Sequence, residues 1–109
     1  MSKQKGARIE RWFANKLIDI FPGVRRNFYT QTRSGGRDME NTGAFSFECK
    51  GGKSYKSKMI RKILDQAEAE AEGKWAVGLV KPDREAAYAV MPFDDFVEIL
   101  AIMKSEGIL

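Results

Sequence analysis

A chain of 109 residues, 43% of them hydrophobic, has room for one domain with a buried core and none for a separate recognition domain. It contains no histidine, which excludes imidazole acid–base catalysis, Ser-His-Asp chemistry and histidine-ligated zinc, and a single cysteine excludes an internal disulfide. The net charge of +4 conceals an asymmetry, with nine basic and two acidic side chains in residues 1–37, six and three in 38–62, and four and ten in 63–109.

Such a division marks a polyanion-binding face, or more plainly a set of solvated charges. The Met1-Ser-Lys-Gln-Lys start lacks the apolar core of a signal segment and no apolar run is long enough to span a bilayer, so a cytoplasmic protein is expected. Residues 7–20 predict a helix, because Ile9, Phe13 and Leu17 recur at helical spacing until Phe21-Pro22-Gly23 stops it. Glu10 shares a face with Phe13, Ala14 and Leu17. A charge on that stripe needs a metal, a water, a neighbouring Arg or an escape to solvent. Residues 24–32 favour a strand, and Arg33-Ser-Gly-Gly-Arg37 reads as a basic loop that either approaches a phosphate closely or simply connects.

The next segment holds the densest chemistry. A strand over 45–50 would turn Phe45, Phe47 and Cys49 to the core and Ser46, Glu48 and Lys50 to the other face. The turn-prone Glu40-Asn41-Thr42-Gly43 folds the chain back, so that Asp38 returns beside Glu48. Two neighbouring carboxylates need a cation between them, and a hard divalent ion such as Mg²⁺ takes oxygen ligands of this kind. Beyond them, Gly51-Gly-Lys53-Ser-Tyr55-Lys56-Ser-Lys58 is basic and aromatic, suited to tracking a nucleic-acid backbone and stacking a base. Its Gly-Gly-Lys-Ser lacks the upstream glycine of a nucleotide-binding loop.

Residues 58–72 predict a second helix with a buried stripe of Ile60, Ile63, Leu64, Ala67 and Ala71, ended by Gly73; Gln66 sits at the stripe's edge. Trp75–Val80 and Ala86–Met91 read as strands around the turn Lys81-Pro-Asp-Arg84, and Pro92 starts a final helix with Phe93, Phe96, Val97, Leu100 and Met103 on one face. Trp12 and Tyr88 look exposed and suit either an interface or the core.

The Asp38…Glu48-x-Lys50 arrangement resembles the PD-(D/E)XK nuclease superfamily. Gly6–Leu17 is similar to the superfamily's first helix and Gln66 to a polar residue on the helix after its Glu-x-Lys strand. The order of elements is most similar to small archaeal and phage Holliday junction resolvases. Arg37 stands before Asp38 where the nominal pattern has Pro. The resemblance implies a restriction-endonuclease-like α/β core over 1–109, with a mixed central sheet flanked by helices in the order α-β-β-β-α-β-β-α. It implies Mg²⁺ or Mn²⁺ held by Asp38, Glu48, the Cys49 backbone carbonyl and Glu10, with Lys50 and Gln66 beside the attacking water and 5′-phosphate products. The expected function is a metal-dependent DNA endonuclease acting as a homodimer on branched DNA, gripped by Arg33, Arg37, Lys53, Tyr55, Lys56 and Lys58, in the host cytoplasm if phage-encoded. Another DNA-processing nuclease of the same fold, or a noncatalytic nucleic-acid-binding module, are the alternatives.

Overall fold

The structure, a computed structural model, describes residues 3–27, 38–52 and 58–109. Among them are three helices and two antiparallel sheets of two strands each, a small α/β arrangement. The chain divides into two compact units, Met1–Tyr55 with Met103–Leu109, and Lys56–Ile102.

In the first unit, helix α1 (Lys3–Leu17) buries Glu10, Ala14 and Leu17, residues that share one helical face. It stops at Leu17, three residues before the expected end, because the Leu17 carbonyl accepts N–H bonds from Ile20 at 3.0 Å and Phe21 at 2.9 Å. That tightened turn folds Ile20 and Phe21 inward, where both are buried. The carbonyls of Asp19 and Ile20, just past the helix, accept from Lys104 Nζ at 2.8 and 3.1 Å, a cation placed at the negative end of a helix.

Strand β1 (Arg25–Arg26) pairs antiparallel with β2 (Met39–Glu40), Arg25 opposite Glu40 and Arg26 opposite Met39. Of the expected 24–32 strand, Val24 and Asn27 are not strand, and residues 28–32, with the 33–37 loop, lie outside the described residues. After β2 the chain turns where the sequence suggested. Asn41 and Gly43 take left-handed φ angles of 64° and 58°, and buried Thr42 closes the turn by donating from Oγ1 to the Phe45 carbonyl at 2.7 Å. Asn41 Nδ2 ties it to the Gly23 carbonyl at 2.9 Å.

Residues 45–50 alternate as expected, with Ser46, Glu48 and Lys50 exposed, Cys49 buried, and Phe45 and Phe47 half-buried. Phe45 and Phe47 stack at 5.7 Å between ring centroids, and both meet Phe21, at 6.1 and 6.4 Å. The segment is nevertheless not a strand, which corrects the expected order to α-β-β-α-β-β-α among the described residues. One ladder-like bond forms, from Asp38 N–H to the Phe47 carbonyl at 3.2 Å. Two residues on, the Cys49 N–H goes instead to the Asp38 carboxylate at 2.7 Å, so a side chain takes the place of the next backbone acceptor. Among the described residues the strands form two separate two-stranded antiparallel sheets in place of the expected mixed central sheet.

In the second unit, helix α2 (Lys58–Ala69) ends before Glu72 and Gly73, both left-handed at φ 51° and 83°. Its apolar stripe is shallower than expected: Ile63, Leu64, Ala67 and Ala71 are half-buried, and Ile60 and Met59 are exposed. Strands β3 (Gly78–Val80) and β4 (Tyr88–Val90) pair with Gly78 opposite Val90 and Val80 opposite Tyr88. Gly78 is required by close packing, since a Cβ there would run into the Ile63 methyl Cγ2 of α2. Helix α3 (Phe93–Ser105) begins after Pro92 with Asp94 and Asp95 in its first turn and buries Leu100. No helix among the described residues is long and apolar enough to cross a membrane.

Candidate functional site

Asp38 is held by three hydrogen bonds. Its N–H donates to Phe47, its carbonyl accepts from Asn27 N–H at 3.0 Å, and its Oδ2 accepts from Cys49 N–H at 2.7 Å. The first two bonds fix the backbone between β1 and the returning segment. The third aims the carboxylate at the peptide that joins Glu48 to Cys49. The expected return of Asp38 to the side of Glu48 on a strand is met only as far as the Glu48–Cys49 peptide, which it reaches through a carboxylate–amide bond.

Glu48 and Lys50, two apart on an extended stretch, share its exposed face and form an ion pair of 3.0 Å. Such an exposed pair contributes little to stability, on the order of 0–1 kcal/mol. It does keep an ammonium against the carboxylate that the sequence marked for a metal. Gly51 follows in tight contact with Ile9, so that a Cβ there would come within 2.5 Å of Ile9 Cδ1; this seats the end of the segment on α1.

Glu10 is buried, with 7% of its side chain exposed, and meets Arg26 Nε at 2.8 Å. Of the partners that the sequence left open for this carboxylate, the structure supplies the neighbouring Arg. Sequence reading missed Arg26 as the partner. The signal was present in Arg25-Arg26 on a strand, where successive side chains must point oppositely: Arg25 is 67% exposed and pairs with Glu40, whereas Arg26 is 13% exposed and turns in toward Glu10.

Cys49 reports on the whole cluster. Burial first, then the negative charges of Asp38, Glu10 and Glu48, push its thiol up to about 12, with Lys50 pulling the other way. Three carboxylates from three separate stretches of sequence thus act on one buried side chain. They do not converge further, for among the described residues no group of three His, Cys, Asp or Glu side chains is placed to hold a metal ion. The donor set is still all oxygen, and Mg²⁺ needs only one or two protein carboxylates, its remaining positions being filled by water and phosphate. Asp38 and the exposed Glu48 fit that role; Glu10, engaged by Arg26, fits a supporting one.

Gln66 lies exposed on α2 in the second unit, and Lys58 is exposed at the start of the same helix. Arg33, Arg37, Lys53, Tyr55 and Lys56 lie outside the described residues. In comparisons with known proteins, no protein-family model, no curated protein and no solved structure matches the chain.

Proposed function

We propose that the chain is a metal-dependent DNA endonuclease of PD-(D/E)XK type, with a restriction-endonuclease-like core, acting as a homodimer on branched DNA. The observation that carries this reading is the bond from Cys49 N–H to Asp38 Oδ2, which holds the Asp against the Glu48-x-Lys50 segment. A plain structural turn needs no second carboxylate and no lysine on the same exposed face, and paired carboxylates repel phosphate unless a cation intervenes.

Asp38, Glu48 and the Cys49 carbonyl would hold Mg²⁺ or Mn²⁺. When bound, the ion polarises a phosphoryl oxygen and makes its water a stronger nucleophile at neutral pH. Lys50, held beside Glu48, stabilises the negative charge that develops on the phosphate and orients the attacking water. The buried Glu10–Arg26 pair anchors α1 to β1 behind the cluster. Arg33, Arg37, Lys53, Tyr55, Lys56 and Lys58 supply backbone contacts in this reading.

One observation favours a second reading, a nucleic-acid-binding module without chemistry: Glu10 and Glu48 each already pair with a cation of the chain. A single assay separates the two. Purified protein with Mg²⁺ or Mn²⁺ is offered labelled four-way junction, flap, duplex and single-stranded DNA. Cleavage abolished by Glu48→Gln supports the nuclease; binding of all four without cleavage supports the module. Cleavage of linear ends in preference to junctions points to another DNA-processing nuclease of the same type.

A further inference from the structure

A second feature of the first unit lies between α1 and β1. A cleft of about 260 Å³ is lined by Arg11, Ala14, Asn15, Val24, Arg25 and Arg26. Arg11 and Asn15 stand one turn apart on α1, Arg25 and Arg26 come from β1, and buried Ala14 and Val24 leave the space open between them. Three arginines and no acidic residue are among the described residues that line the cleft. Its volume is below the roughly 300–1,000 Å³ of clefts that enclose drug-sized molecules, which suits a small anionic group better than a whole ligand.

The three arginines differ in freedom. Arg26 is held by buried Glu10, whereas Arg25 is exposed and pairs with Glu40 on the surface, an interaction weak enough for an anion to displace. A guanidinium offers several N–H donors in a planar fork that matches phosphate oxygens, so one fixed and two adjustable arginines make a grip for a tetrahedral anion. The cleft also adjoins the candidate site through Arg26, which lines one and holds Glu10 of the other.

We propose that this cleft seats a backbone phosphate of the DNA substrate, distinct from the phosphate that is attacked, with Arg11, Asn15 and Arg25 as its contacts and Arg26 as its fixed wall. The choice of DNA as the source of the phosphate rests on the nuclease reading; the anion site itself rests on the cleft.

The test is binding of a labelled duplex in metal-free buffer across a salt series, where no cutting intervenes. Arg11→Ala and Arg25→Ala should each weaken binding and lower the log–log salt slope by about one. Glu40→Gln should tighten binding by releasing Arg25, and by more than Glu68→Gln, which removes the same charge from the exposed face of α2. In parallel, inorganic phosphate should shift the Nε resonances of Arg11 and Arg25 and the side-chain amide of Asn15. An unchanged slope in both arginine variants together with no phosphate shift, or equal effects of the two glutamate variants, overturns the site. If the slopes fall as expected yet the wild type cuts no DNA in Mg²⁺ or Mn²⁺, the nuclease reading fails and the anion site stands. If it cuts while the slopes stay unchanged and phosphate shifts no resonance, the reverse holds. Phosphate shifts without any change in DNA slopes overturn DNA as the source.

Discussion

Asparagine at position 38 keeps an oxygen able to accept the Cys49 N–H but removes the charge, whereas alanine removes both. Asp38→Asn is therefore expected to fold within about 1 kcal/mol of wild type, and Asp38→Ala to lose about 1–3 kcal/mol because the Cys49 amide is left without its acceptor. Both should abolish cleavage while duplex binding persists. Urea unfolding beside a cleavage assay checks this, and activity in Asp38→Asn would remove the proposed metal ligand. The buried pair gives a larger effect. Arg26→Ala removes the cation that buried Glu10 meets and should destabilise by about 3–5 kcal/mol, with partial recovery in Glu10→Gln/Arg26→Ala, measured by the same unfolding method. Cys49 yields a pH dependence. Its folded pKa lies above the usual 9.0 of an unfolded thiol, so the folded form binds the extra proton; the stabilisation is complete below about pH 9 and fades as pH rises toward about 12. In metal-free protein, Cys49→Ala should therefore lose less stability than wild type between those values, and the native thiol should resist alkylation at pH 8. Residue by residue, Asp38, Glu48 and Lys50 were legible because turn chemistry and strand alternation are local. Arg26 was harder to find, because which of two adjacent arginines turns inward depends on strand register.

At the scale of elements, contact between Gly78 and Ile63 holds the β3–β4 pair against α2. Gly78→Ala should cost about 1–3 kcal/mol by overpacking, and less in an Ile63→Ala background, where the Cγ2 methyl that the new Cβ meets is gone; a double-mutant cycle in urea measures the coupling. Additive effects would show that the sheet shifts freely off the helix. The helices were read well from sequence, since caps and periodicity are local, and α3 begins after Pro92 as its first-turn acids suggested. The segment 45–50 was not, although its alternation is real. A strand requires its N–H groups to find backbone carbonyls, and here the carboxylate of Asp38 captures one of them. No pattern of apolar residues encodes that substitution. The shallow burial of α2 was equally invisible, because periodicity shows which face turns inward and not how much covers it.

Across the whole molecule, charge follows the structural division. The first unit carries twelve basic and six acidic residues and the second seven and nine, so the positive excess belongs to the unit that holds the candidate site. On this basis the proposed homodimer should bind four-way junctions more tightly than duplex of the same sequence in Ca²⁺, with affinity falling steeply with salt. Sedimentation of the free protein and junction-versus-duplex competition test the two halves; a monomer with equal affinities would remove junction selectivity and leave a general nuclease. Trp12, Leu79 and Tyr88, at 51%, 79% and 58% exposure, are apolar surface available to such an assembly.

The bonds from Lys104 to Asp19 and Ile20 span 85 and 84 positions of the chain. During synthesis at roughly 5–20 residues per second, the turn after the first helix therefore waits on the order of 4–17 s for the ammonium that reaches its Asp19 and Ile20 carbonyls. Until then the basic segment that bears Glu10, Arg26, Asp38 and Glu48 emerges with that turn lacking its lysine. A nascent chain halted before residue 104 should consequently be more open to protease around residues 17–21 than one extended past it, so that in this protein the synthesis of a single distant lysine doubles as the step that closes its first unit.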